Sequence, residues 1–90
     1  MFQTSLGIPI EYVELLKEAL NDIQIVFQSY HFPPRLIVEP DENSGIAYIH
    51  IKYANPTNPE KNTQDGYLIC DLIVAYLIGF FVAKGEKNIL

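Results

Sequence analysis

Tyr48, His50 and Lys52 stand at alternate positions of one segment, IAYIHIKY. On an extended chain that spacing turns all three side chains to the same face. A phenol, an imidazole and an ammonium side by side can hold an anion or relay a proton. Arg35, upstream of the same segment, can add a guanidinium. Arg35, Tyr48, His50 and Lys52 are therefore the candidate ligand-binding set, lining a pocket between subunits. The same pattern is also what a solvated strand face looks like.

A second set is acidic. Glu11, Glu14, Glu18 and Asp22 follow one another at spacings of three and four, which bring side chains together on one helix face. Such carboxylates could take a hard cation or meet a basic partner, although Lys17 among them offsets part of the charge. These four are the candidate partner-binding residues, with a solvated helix face as the alternative.

The remaining candidates are single residues. Cys70 has no basic neighbour in sequence to stabilise a thiolate and reads as a buried structural cysteine. Asp71 reads as an early-turn carboxylate facing a helix dipole; the other reading buries it against Arg35 or a tyrosine. His31, between a tyrosine and Phe32-Pro33-Pro34, reads as a helix-end residue. One cysteine and two histidines make no zinc pattern. No glycine-rich phosphate loop, G-x-S-x-G turn or H-E-x-x-H helix occurs. Neither an enzyme, a metal nor a cofactor is expected.

Composition narrows the partners. The 90 residues carry eleven acids against six bases, a net charge of −5. The bases Lys17, Arg35, Lys52, Lys61, Lys84 and Lys87 are scattered, so no stripe follows a phosphate backbone and nucleic acid is not expected. Hydrophobic residues make up 49% of the chain, enough for a core and against disorder. No basic segment precedes an apolar N-terminal run, and a lone cysteine forms no internal disulfide. The cytoplasm is the simplest expectation.

The elements that must position these residues are read from Pro9 onward, in a single domain spanning 1–90. Over 9–30, Tyr12, Val13, Leu16, Ala19, Leu20, Ile23, Val26, Phe27 and Tyr30 share one helical face. Glu11, Glu14, Lys17, Glu18, Asn21 and Asp22 share the other. Pro9 suits a first turn, and Pro33-Pro34 forbids continuation. A helix from Pro9 to Tyr30 is predicted; the rival reading makes IQIVFQSY a strand. Leu36 to Glu39 and Ile46 to Tyr53 form a hairpin around PDENSG, with Gly45 free to take positive φ. Ala47, Ile49, Ile51 and Tyr53 face its core. Ala54 to Gly66 is a polar loop, Asp65 caps the next helix and Gly85 ends it. The fold class is α+β in the order α-β-β-α.

The last helix, QDGYLICDLIVAYLIGFFVAKGEK, raises a question of solvent. Its uninterrupted apolar run, Leu72 to Ala83, falls short of the about 20 residues that cross a bilayer core. Asp71 interrupts the longer stretch, and Lys61 on one side and Lys84 and Lys87 on the other set no topology. A helix buried in protein is therefore expected, with membrane association as the alternative. Yet it is apolar all round, and one helix and a hairpin struggle to cover three sides. Ala75, Gly79 and Ala83 repeat every four residues beside Leu72, a line along which a second helix can approach closely. Leu72, Ala75, Gly79 and Ala83 are the candidate interface of a homodimer or higher oligomer.

These features predict a non-catalytic protein-interaction module, a small homo-oligomeric adaptor or inhibitor. Antitoxins and phage inhibitors offer an analogy of size and shape alone. The alternatives are an anion or small-ligand binder with its pocket at the subunit interface, and a membrane-associated subunit using the last helix.

Overall fold

The computed structural model describes residues 1–85; Lys87 lies outside them. The elements are β1 (Phe2–Pro9), a 3-10 turn (Ile10–Tyr12), α1 (Val13–Phe27), β2 (Arg35–Asp41), β3 (Ile46–Tyr53), a second 3-10 turn (Pro59–Lys61) and α2 (Asn62–Ala83). The α+β class and the helix–strand–strand–helix order are present, with one more strand ahead of them.

That strand changes the sheet. The order is β1-β3-β2 with both pairings antiparallel, so β3 is central and two edges remain. Phe2 and Ile8 of β1 enter the core, while Gln3, Ser5 and Gly7 alternate outward. β3 behaves as its alternation predicts. Ala47, Ile49 and Ile51 are fully buried and Tyr53 nearly so, while Tyr48, His50 and Lys52 point to the other face. The hairpin turn is built locally. The Asp41 carboxylate accepts the Asn43 and Ser44 N–H groups at 3.1 and 3.4 Å, and Gly45 takes φ 70°.

Both helices lie on the inner face, α1 under β2 and α2 under β1 and β3. The first helix is shorter than 9–30. Pro9 ends β1, a 3-10 turn intervenes, and the α-helix stops at Phe27. Residues 21–27 continue that helix and form no strand. Its buried stripe is Leu16, Ala19, Leu20, Ile23 and Phe27; Val26, assigned to that stripe from sequence, stands exposed at its edge.

The second helix starts earlier than expected. Pro59 opens a 3-10 turn, and the buried Asn62 side chain accepts the Asn55 N–H at 2.8 Å, tying the loop back on itself. Asp65 is therefore a first-turn residue, not the cap, and no side chain caps α2. Asp71 lies beyond the early turns, so the dipole role expected of it does not apply. Gly85 ends the helix at φ 87°, as its position predicts. Ile69, Ile73, Leu77 and Phe81 line the face that α2 buries, each contributing about 1.5–3 kcal/mol.

One close approach fixes where α2 sits. A Cβ on Gly66 would fall within the Phe2 ring, so the N-terminal part of α2 rests directly on β1. An alanine in a helix interior normally gains about 0.5–1 kcal/mol over glycine. Here Gly66→Ala is expected to lose about 1–3 kcal/mol by overpacking, which lowers Tm by roughly 4–8 °C per kcal/mol in a domain of this size. Thermal unfolding of Gly66→Ala, alone and with Phe2→Leu, checks this: the double variant should recover part of the loss.

Candidate interaction surfaces

The structure brings the four candidate ligand-binding residues to one place, the outer face of the sheet. Cross-strand pairing sets rows across it. Arg35 pairs with Lys52 on one side and Gln3 with Lys52 on the other; the next rows hold Ser5, His50 and Ile37, then Gly7, Tyr48 and Glu39. His50 is the best-connected residue. Its Nδ1 lies 2.7 Å from Ser5 Oγ and its Nε2 lies 3.1 Å from Glu39 Oε1, and Tyr48 stacks beside it with ring centroids 6.1 Å apart. A carboxylate only accepts, so in the neutral imidazole Nε2 carries the proton and Nδ1 accepts the Ser5 hydroxyl.

Serine, imidazole and carboxylate in a row resemble the parts of a hydrolase site. The surroundings differ. Ser5 and Glu39 are exposed on an open sheet face. The row is best described as a hydrogen-bonded brace across three strands. Sequence reasoning missed Ser5 and Glu39 as partners of His50. The signal for Ser5 was the alternation in FQTSLGIP, which places it outward opposite His50.

Arg35 and Lys52 are a like-charged cross-strand pair, and among the described residues neither has an ion-pair partner. Like charges directly opposite each other are destabilising, and an anion between them would relieve that. The acidic set behaves differently. Glu14 pairs with Lys17 at 3.5 Å, Glu18 accepts from Lys84 at 3.2 Å, and Asp22 accepts the Tyr76 hydroxyl at 3.1 Å. The last two join α1 to α2, so three of the four carboxylates are engaged within the chain, two of them between the helices. Glu11 sits on the 3-10 turn. Among the described residues, no His, Cys, Asp and Glu side chains gather to hold a metal.

The second surface is α2. Leu72, Ala75, Gly79 and Ala83 all lie on its exposed side, and among the described residues nothing comes within 4 Å of where a Cβ on Gly79 would stand. The large side chains around them are bare: Leu68 is 57% exposed, Leu72 53%, Ile78 46% and Val82 55%. A groove floored by Ile23 and Phe27 and walled by Val26, Leu72 and Tyr76 extends this surface onto α1. Asp71 also faces outward here, away from any burial against Arg35. Pro59–Ala83 is long and apolar enough to cross a membrane, and 28% of its most apolar stretch is buried.

Cys70 is half-buried on the inner side of α2. Burial, then the neighbouring Asp71 carboxylate, push its thiol above the ordinary range. No family model, no curated protein and no solved structure matches the chain.

Two outcomes follow for these surfaces. Lys52→Glu turns a repulsive pair with Arg35 into an attractive one. It should raise stability in urea titrations by about 0.2–1 kcal/mol, with the gain shrinking as salt is added. Cys70 should react with iodoacetamide at pH 8 several-fold more slowly than a free thiol and match it once the chain is denatured, a difference that mass spectrometry reads directly.

Proposed function

We propose that this chain is a non-catalytic interaction module that works as a homodimer, with the outer side of α2 as the seam between copies. The observation that carries the reading is the exposure of Leu68, Leu72, Ile78 and Val82 around the line Ala75, Gly79, Ala83. A helix of this length presents a face about 33 Å long and roughly 10 Å wide, at the size where a contiguous apolar patch marks an interaction site. Stable complexes bury ~800 Å² per partner, so the seam needs contact beyond the face of α2 as well. The occupant that fits best is a second copy. It offers the same small-residue line, and neither copy brings a charge to it except Asp71 at its border. With the seam so covered, the sheet face bearing Arg35, Tyr48, His50 and Lys52 remains outward to meet another protein or an anionic ligand.

The length and apolarity of Pro59–Ala83 favour a second reading, association with a membrane. Spanning would pull Ile69, Ile73, Leu77 and Phe81 out of the core. At about 1.5–3 kcal/mol each, that loss rivals the roughly 5–15 kcal/mol that holds a whole domain together. Lying flat on a bilayer keeps the core, but a net charge of −5 opposes approach to an anionic leaflet.

Light scattering on a gel-filtration column, without detergent and across concentrations, tests the reading. Twice the chain mass of 10.3 kDa is expected. Ala75→Asp, which places a carboxylate on the seam without touching the core, should return the chain to one copy. A soluble wild-type monomer overturns the proposal. Aggregation relieved only by detergent, with flotation on phosphatidylcholine vesicles, selects the membrane reading.

A further inference from the structure

The two edges of the sheet are not alike. β2 carries Arg35, Glu39, Pro40 and Asp41, the charges and proline that keep an edge from pairing with another strand. β1, FQTSLGIP, has no charge at all, and its one proline is its last residue.

The direction of its free backbone groups follows from the ladder. The Ile10 N–H donates to the Gly45 carbonyl at 2.9 Å, in line with the register in which Ile8 faces Ala47 and Leu6 faces Ile49. Antiparallel pairs alternate between bonded and non-bonded. Phe2, Thr4, Leu6 and Ile8 therefore spend their N–H and C=O groups on β3. Gln3, Ser5 and Gly7 turn theirs outward, and among the described residues no backbone group pairs with them.

The surface beside this edge is apolar. The Tyr67 ring packs edge-on against Phe2 of β1, with centroids 5.3 Å apart. Tyr76, a half-turn around the helix from Tyr67, bonds to Asp22 of α1. The side of α2 away from α1 thus borders β1, and it carries the exposed Tyr67 and Ile78. An unpaired strand edge and an uncovered helix flank lie next to each other.

We infer that two copies of this chain pair through β1, antiparallel and two-fold, joining their sheets into one with the α2 helices side by side beneath the join. This rests on the homodimer reading above and adds the backbone contact that such a dimer makes. Ser5 lies at the two-fold, because only a register centred there uses every outward N–H. Ser5 then meets the partner's Ser5, and Gln3 meets the partner's Gly7. Pro9, without an N–H, falls at the end of the ladder. No charged residue faces its like across the join.

Charge exchange at Ser5 tests this. In a bonded antiparallel pair the two Cα atoms stand ~5.5 Å apart, so Ser5→Lys sets two ammoniums against each other and Ser5→Glu two carboxylates. The Ser5 side chain is exposed on the outer face, and circular dichroism checks that both variants fold. Each variant alone should dissociate to one copy at concentrations where the wild type is dimeric, and mixing them should restore the dimer. If both variants keep the wild-type mass while Ala75→Asp dissociates, pairing through β1 is overturned and self-association through α2 stands. A wild-type monomer overturns both. Should either variant fail to fold, amide exchange on the wild type decides. Backbone N–H groups of Gln3, Ser5 and Gly7 should exchange roughly tenfold or more slowly in concentrated than in dilute protein. Equal exchange at both concentrations, with the dimer present, rejects the join.

Discussion

The period of two along β3 is the constraint from which the rest follows. Ala47, Ile49 and Ile51 have no exposure at all, and the residues between them form the spine of the outer face. Because β3 is central, its neighbours must adopt the same parity: Phe2 and Ile8 go inward with Leu36, and Ser5 and Glu39 go outward with His50. A slip of one residue would put the isoleucines in water and the histidine in the core. The brace Ser5–His50–Glu39 is therefore a consequence of register, and it links both edges to the central strand, straight across to Ser5 and diagonally to Glu39.

With both helices on the inner face, each gets one side of cover from the sheet and part of another from its neighbour. That nearly suffices for α1, whose remaining side is polar apart from Ile25 and Val26 near its end. It does not suffice for α2. The clamp of Tyr76 on Asp22 and Lys84 on Glu18 joins the helices along one flank, and the side away from α1 and the sheet stays apolar and open. The third strand, which sequence reasoning did not supply, covers part of the inner side of α2 through Phe2 and Gly66 but leaves the outer side bare.

Much of this was legible in the residues. The alternation of Ile46–Tyr53 predicted both faces of β3, and the candidate ligand-binding set shares one surface because that alternation is strict. Strong periodicity also marked α1, although Val26 shows its limit: a broad helical face read from sequence includes its own margin, and tertiary contact decides where burial stops. β1 went unread because its inward residues include the polar Thr4, its outward ones include Gly7, and Pro9 pointed toward the helix that follows. The start of α2 was misplaced for a different reason. Asn55, Asn58 and Pro59 each signal a turn, and only the long-range tie from Asn62 to Asn55 makes that turn the beginning of a helix.

The location of the excess apolar surface is itself informative. A small domain hides only about 60% of the surface its unfolded chain exposes, so a chain that is 49% hydrophobic leaves apolar groups outside. Scattered over the surface they would need no explanation. Among the described residues, more of the large exposed ones lie on one side of α2 than anywhere else, around residues small enough for a backbone to approach, with Ile25, Val26 and Ile37 among those elsewhere. The outer sheet face of the same chain is mostly polar and charged, and β2 is guarded by Arg35, Glu39 and Pro40. β1, beside the bare helix, is the edge without such a guard. An edge open to pairing is a hazard for a chain that works alone and an asset for one that works in pairs. The unguarded edge and the uncovered flank of α2 lie together, so a single partner could cover both.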